Sequence, residues 1–157
     1  MLKKIASKVK ALFPADAVHA HCDGPCGVYD PAGARISAEA VVNMTKKMLD
    51  LTHPTSSDPK AMAAYENTMS RYIAIKEEQA QITKDEILIL WTDYFKPVHL
   101  ETYPDLHDTF WKAAKLCSAC KVEVSPEHCS ELMDALEKIH NIFWATKDRS
   151  VTFYKAS

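Results

Sequence analysis

Glycine is scarce, with three residues in 157. Tight β-hairpin turns lean on glycine at positions of positive φ. A sheet of hairpins would have little to turn on, so the chain reads as all-α. No apolar run approaches the roughly 18 residues that cross a bilayer, which argues against stable membrane insertion. Nor is there the continuous apolar stretch of a standard secretory signal. Neither sign of charge dominates: 19 Lys and Arg face 21 Asp and Glu, for a net charge of −2. That balance lacks the basic footprint of a nucleic-acid binder. Cysteine numbers five, an odd count. Without a secretory signal this is no disulfide framework; it suits reduced thiols in the cytoplasm, available to metals.

What is present is enough for one soluble domain, with 47% hydrophobic and 25% charged residues. The first twenty residues stand apart. Lys3, Lys4, Lys8 and Lys10 face a single acid, Asp16, while Leu2, Ile5, Val9, Leu12 and Phe13 recur at helical spacing. This segment reads either as a basic amphipathic helix at a membrane surface or as a removable pro-segment. Its removal would take the charge from −2 to about −5. The division is therefore a leader over 1–20 and a domain over 21–157.

The rest of the chain is punctuated for helices. Asp30-Pro31 supplies an N-cap and a proline at the first helical position. From about 31 to 51, Ile36, Ala40, Val41, Met44, Met48 and Leu51 share a face. A loop rich in Pro and Ser precedes a second helix over 59–82, with Met62, Tyr65, Met69, Tyr72, Ile73, Lys76 and Ala80 along one side. Thr83-Lys-Asp-Glu86 matches a capping box. It opens a third helix that ends before Pro97, or the second helix continues through it with a kink. Tyr103-Pro104 begins a fourth with Leu106, Phe110, Ala113 and Cys117 in register. Ser125-Pro126 opens a fifth with Leu132, Leu136, Ile139 and Phe143. The expected architecture is an antiparallel up-and-down four-helix bundle over about 31–147.

Residues 21–29, HCDGPCGVY, are too turn-rich for a helix and dense in soft ligands. Gly24-Pro25 lies between Cys22 and Cys26, and Gly27 follows. Such a hook could bring both sulfurs to one point, for a metal or a redox role; a local disulfide or two idle thiols fit the spacing as well. Cleavage after Ala20 would add a further feature. The chain would then begin at His21, offering an α-amine, the Cys22 amide nitrogen and two thiols. Together they form an N2S2 plane suited to Ni(II) or Cu(II), with the His21 imidazole in axial reach.

Elsewhere, Cys117-Ser-Ala-Cys120 with His128-Cys129 could supply four zinc ligands. Cys117 falls on an apolar helix face, so these cysteines read instead as core or surface residues. His99, His107 and His140 receive no role. Trp91, Trp111 and Trp144 read as core or interface anchors.

HCDGPCGVYDPA closely resembles the amino-terminal nickel hook of nickel superoxide dismutases. LWTDYFKP at 90–97 and KIHNIFWATK at 138–147 resemble two further signatures of that family. The likeness spans essentially all of 21–147. It implies a precursor cut before His21 by a processing peptidase, and a four-helix-bundle subunit in a homohexamer. It implies one nickel ion per subunit, held by the His21 amine and imidazole, the Cys22 amide and thiolate, and the Cys26 thiolate. Cycling between Ni(II) and Ni(III) would convert two superoxide ions and two protons to dioxygen and hydrogen peroxide. Tyr29 and Tyr94 match tyrosines beside the open face of the metal, Asp23 matches a residue that steadies the hook, and Lys96 matches a lysine near the site. Ser37 and Gln79 stand where the family has Glu and Arg, a neutral pair in place of a charged one. Rival readings are a helical nickel- or copper-binding protein without turnover, and a thiol-redox module using Cys22 and Cys26.

Overall fold

The computed structural model describes residues 27–55 and 57–156. Helix α1 runs Ala32–Asp50, and α2 runs Pro59–Ile89 and passes directly into a π-helical turn, Leu90–Tyr94. A short α3 (Pro97–Thr102) leads to α4 (Leu106–Val122) and α5 (Pro126–Ala145). There is no strand among the described residues. Each long helix packs on two others: α1 on α2 and α5, and α4 on α2 and α5. That closed ring, joined by short links, is the expected up-and-down bundle.

The starts of the helices follow from their sequences. The Asp30 carboxylate accepts the Ala32 N–H at 2.8 Å, just before α1. Asp58 accepts the Lys60 N–H at 3.1 Å, and Ser125 accepts the His128 N–H at 3.1 Å. Pro59 and Pro126 fill first-turn positions where the missing N–H has no partner to lose.

Thr83 does not open a helix. It lies inside α2, fully buried, with its hydroxyl 2.8 Å from the Gln79 carbonyl and 2.9 Å from Ser37 Oγ. The S/T-x-x-E spacing arises equally inside a continuous helix, where threonine bonds back one turn. The alternative of a single long rod is what forms.

The core contains Phe110, Phe143, Ile87, Leu106, Leu132, Leu136, Ile139 and Val41. All four apolar positions read for α4, and all four read for α5, are buried. The face of α1 is rotated from the expected one. Ala34, Ala38, Val41, Thr45 and Met48 point inward, whereas Ile36 is 60% exposed. Small residues fill that face, with Ala34 and Ala38 fully buried. The tryptophans are peripheral. Trp91 and Trp144 pack against the core from its edge, and Trp111 is 54% exposed.

Beyond α5 the backbone reverses at Asp148, whose φ is 52°. The Arg149 N–H reaches the Trp144 carbonyl at 3.0 Å and the Asp148 N–H reaches the Ala145 carbonyl at 3.1 Å, the two bonds of a Schellman stop. The tail then folds back over α5 and α1. His140 Nε2 donates to the Val151 carbonyl at 2.8 Å, and the Ala156 N–H bonds Glu39 at 2.8 Å. Glu39 also pairs with buried Arg35 at 2.6 Å, and Arg35 lies 4.4 Å from the centre of the Tyr154 ring.

Candidate active site

The start of α1, the end of α2, the start of α4 and the end of α5 share one end of the bundle. The π turn there, closed by the Phe95 N–H on the Leu90 carbonyl at 3.1 Å, inserts an extra residue into the helical register. Phe95 is thereby turned into the core, and Tyr94 is left at its edge.

Tyr94 is held on several sides. Its ring lies 4.5 Å from Phe143, 5.0 Å from Phe95 and 5.9 Å from His99. Its hydroxyl is 2.6 Å from Thr146 Oγ1, and Thr146 in turn donates to the Phe143 carbonyl at 2.7 Å. With the threonine proton so engaged, the tyrosine O–H is the donor. The Tyr29 ring meets Tyr94 at 5.5 Å and a tilt of 54°.

These rings border a cavity of 370 Å³ lined by Gly27, Tyr29, Asp93, Tyr94, Lys96 and His99. Gly27 has φ 65°, a conformation that costs other L-residues about 1–2 kcal/mol. It lets the chain turn into the cavity straight after Cys26. Lys96 is exposed at the head of α3, and among the described residues no carboxylate forms an ion pair with it. Its backbone is clamped by His99: the Lys96 N–H donates to His99 Nδ1 at 3.1 Å, and the His99 N–H donates to the Lys96 carbonyl at 2.9 Å. A neutral His99 therefore carries its proton on Nε2. A second ammonium, that of Lys147, sits 5.3 Å above Tyr94 and 5.0 Å from Phe143.

The structure thus brings together Tyr29, Tyr94 and Lys96. His21, Cys22, Asp23 and Cys26 lie outside the described residues. Sequence reasoning left out His99, Asp93, Thr146 and Lys147. Only His99 had a local signal, its place three residues after Lys96 with Pro97 between them, where a side chain can bond back to the helix start.

Ser37 and Gln79 do not meet as a pair of side chains. Ser37 Oγ lies 2.9 Å from the Gly33 carbonyl and 2.9 Å from Thr83 Oγ1, and Gln79 joins this link through its backbone carbonyl. The hydroxyl bridge ties α1 to α2 beneath the site.

The cysteines of the second half are buried and free. Burial pushes the Cys117 thiol up to about 12. All three lie in the hydrophobic core, as the core reading expects.

Residues 16–147 match the family model of the nickel-containing superoxide dismutases. The nickel superoxide dismutases of Streptomyces coelicolor and Streptomyces seoulensis are each 41% identical over 134 residues, covering 85% of this chain and 93% of theirs. A native nickel superoxide dismutase crystal structure superposes with a TM-score of 0.69 at 40% identity, covering 82% of this chain and all of that one. An apo form gives 0.64 at 38% identity, over 78% of this chain and 99% of that one. This chain belongs to the nickel-containing superoxide dismutase family.

Proposed function

We propose that the chain dismutates superoxide at a nickel centre built on His21, Cys22 and Cys26, exposed when residues 1–20 are removed, with the Tyr29–Tyr94 cavity as the substrate approach. Family membership supplies the reaction and the cofactor: two superoxide ions and two protons become dioxygen and hydrogen peroxide, with nickel as the metal. The observation that carries the placement is Gly27. It is bonded to Cys26 and already lines the cavity with Tyr29, Tyr94 and Lys96.

The donor set fits the metal. Thiolates of Cys22 and Cys26 and an amidate from Cys22 are anionic, strongly donating ligands that favour the higher oxidation state of nickel. Bound nickel supplies the one-electron couple. The protein does the rest. Lys96 draws an anionic substrate toward a subunit of net negative charge. The Tyr29 ring, braced by Tyr94, narrows the approach. Asp23 steadies the hook.

The same reading extends to the assembly and its setting. Ile36, Leu49 and Ile73 are 60%, 57% and 42% exposed on the subunit, apolar area that a homohexamer would cover. Free thiols at Cys117, Cys120 and Cys129 suit the cytoplasm. Sedimentation of the mature protein and cell fractionation check these two points.

Cysteine replacement tests the site. Cys22→Ser and Cys26→Ser should each abolish dismutase turnover, and Cys117→Ser, Cys120→Ser and Cys129→Ser should leave it nearly intact. Loss of nickel from one of the latter three, with nickel retained in a hook variant, would put the centre elsewhere.

A further inference from the structure

At the end of the bundle away from the Tyr29–Tyr94 cavity, Cys120 in the last turns of α4 and Cys129 in the first turn of α5 face each other across the Glu123–Ser125 link. The two thiols lie close enough to act on each other's titration. Cys129 Sγ is also 3.4 Å from Thr45 Oγ1. Close by, the buried Lys76 ammonium donates to the carbonyls of Cys120, Lys121 and Glu123. Both thiols are almost fully buried, but Cys129 lines a cavity of 250 Å³ with Val42, Thr45, Lys46, Leu49 and Pro126. A molecule little larger than water fits such a space. Neither the dismutase reaction nor the core packing needs two neighbouring thiols with one of them at the wall of a cavity.

We propose that Cys120 and Cys129 are a peroxide-reactive dithiol, with Cys129 as the attacking sulfur and Cys120 as the resolving one, closing to a disulfide. The neighbouring Cys120 thiol holds Cys129 below the usual thiol range, and Cys129 in turn pushes Cys120 up. The nearby Lys76 and His128 charges act on Cys129 in the same direction. Cys129 lines the cavity and Cys120 does not, so Cys129 is placed to attack and Cys120 to resolve.

The chemistry balances. The Cys129 thiolate attacks one oxygen of hydrogen peroxide. The O–O bond breaks, hydroxide leaves and takes up a proton as water, and Cys129 becomes a sulfenic acid. The Cys120 sulfur then attacks the Cys129 sulfur. The S–S bond forms, the S–O bond breaks, and the departing hydroxide leaves with the Cys120 proton as a second water. The two thiols lose two electrons and two protons, and peroxide becomes two waters. The oxidant is the product of the chain's own family reaction, so this inference rests on that reading for its source of peroxide. The step itself needs only peroxide.

The test treats the full chain with graded hydrogen peroxide, alkylates the remaining thiols, and maps the tryptic peptides by mass. Lys121 lies between the two cysteines, so the disulfide would join peptide 116–121 to peptide 122–138. The expected result is that linked pair, lighter by two hydrogens and separated by dithiothreitol, with Cys117 alkylated. In Cys120→Ser, dimedone should trap the sulfenic acid on Cys129; in Cys129→Ser, neither the link nor a dimedone adduct should form. Repeating the peroxide arm in Cys22→Ser separates the two readings, because added peroxide must close the disulfide whether or not nickel is bound. A bond between Cys117 and Cys120, or Cys129 still alkylated at doses that oxidise Cys22 and Cys26, would overturn the proposal and leave the dismutase reading standing.

Discussion

The ring of Tyr29 rests 5.5 Å from the ring of Tyr94, joining the segment that leaves the hook to the π turn that ends α2. Tyr94 cannot swing away, because its hydroxyl is bonded to Thr146 and its ring is packed on Phe143 and Phe95. What anchors Tyr94 also fixes where Tyr29 stands. Tyr94→Phe should cost about 1 kcal/mol of stability, the net worth of one hydrogen bond, and lower turnover less than Tyr94→Ala. The alanine variant should cost about 3–5 kcal/mol and release Tyr29. Urea unfolding with dismutase assays on both variants checks the order. Equal activity in the two would show that the ring contact does not matter.

Lys96 separates steering from capping. It heads α3, where a cation meets the positive end of that helix dipole, which offsets any gain at the end of the π turn two residues before. Lys96→Gln should therefore change stability by no more than about 0.5 kcal/mol and leave nickel content as it was. The second-order rate should fall at low salt and converge on wild type as the Debye length drops below about 8 Å. Pulse-radiolysis rates across an ionic-strength series report the slope; an unchanged slope would remove Lys96 from the approach path.

The bundle was legible because its signals are local and repeated. Proline after Asp58 and Ser125 marks helix starts, and the α4 and α5 patterns place buried side chains at every expected position. Other features were hidden for physical reasons. The π turn depends on one i→i+5 bond at Phe95 and leaves no periodic trace. The rotated face of α1 carries the buried hydroxyls of Ser37 and Thr45, which hydropathy scores as outward. Thr146 reaches the site through its bond to Tyr94, 52 residues away in sequence, and spacing alone does not join them.

Lys76 looked like a face residue of α2 and proves to be its polar anchor. Its ammonium, 2% exposed as a residue, closes the end of α4 by bonding three carbonyls. Lys76→Met keeps most of the stem but strands those carbonyls. Charge-assisted hydrogen bonds are worth about 1.5–3 kcal/mol each and are not additive, so an overall loss of about 3 kcal/mol is expected. Chemical denaturation measures it. A loss under about 0.5 kcal/mol, the level of an ordinary surface change, would mean that water replaces the ammonium without penalty.

The central claim is that the nickel centre requires a chain beginning at His21, because only there is the α-amine free to bind. The direct measurement is made on the full 157-residue chain, expressed without a processing peptidase, supplied with nickel, and compared with the same protein after cleavage following Ala20. Intact mass fixes the first residue, metal analysis gives nickel per chain, and a dismutase assay gives turnover. The account predicts full activity only in the chain that starts at His21, with one nickel per subunit. Full dismutase activity in a chain whose mass still includes residues 1–20 would contradict it.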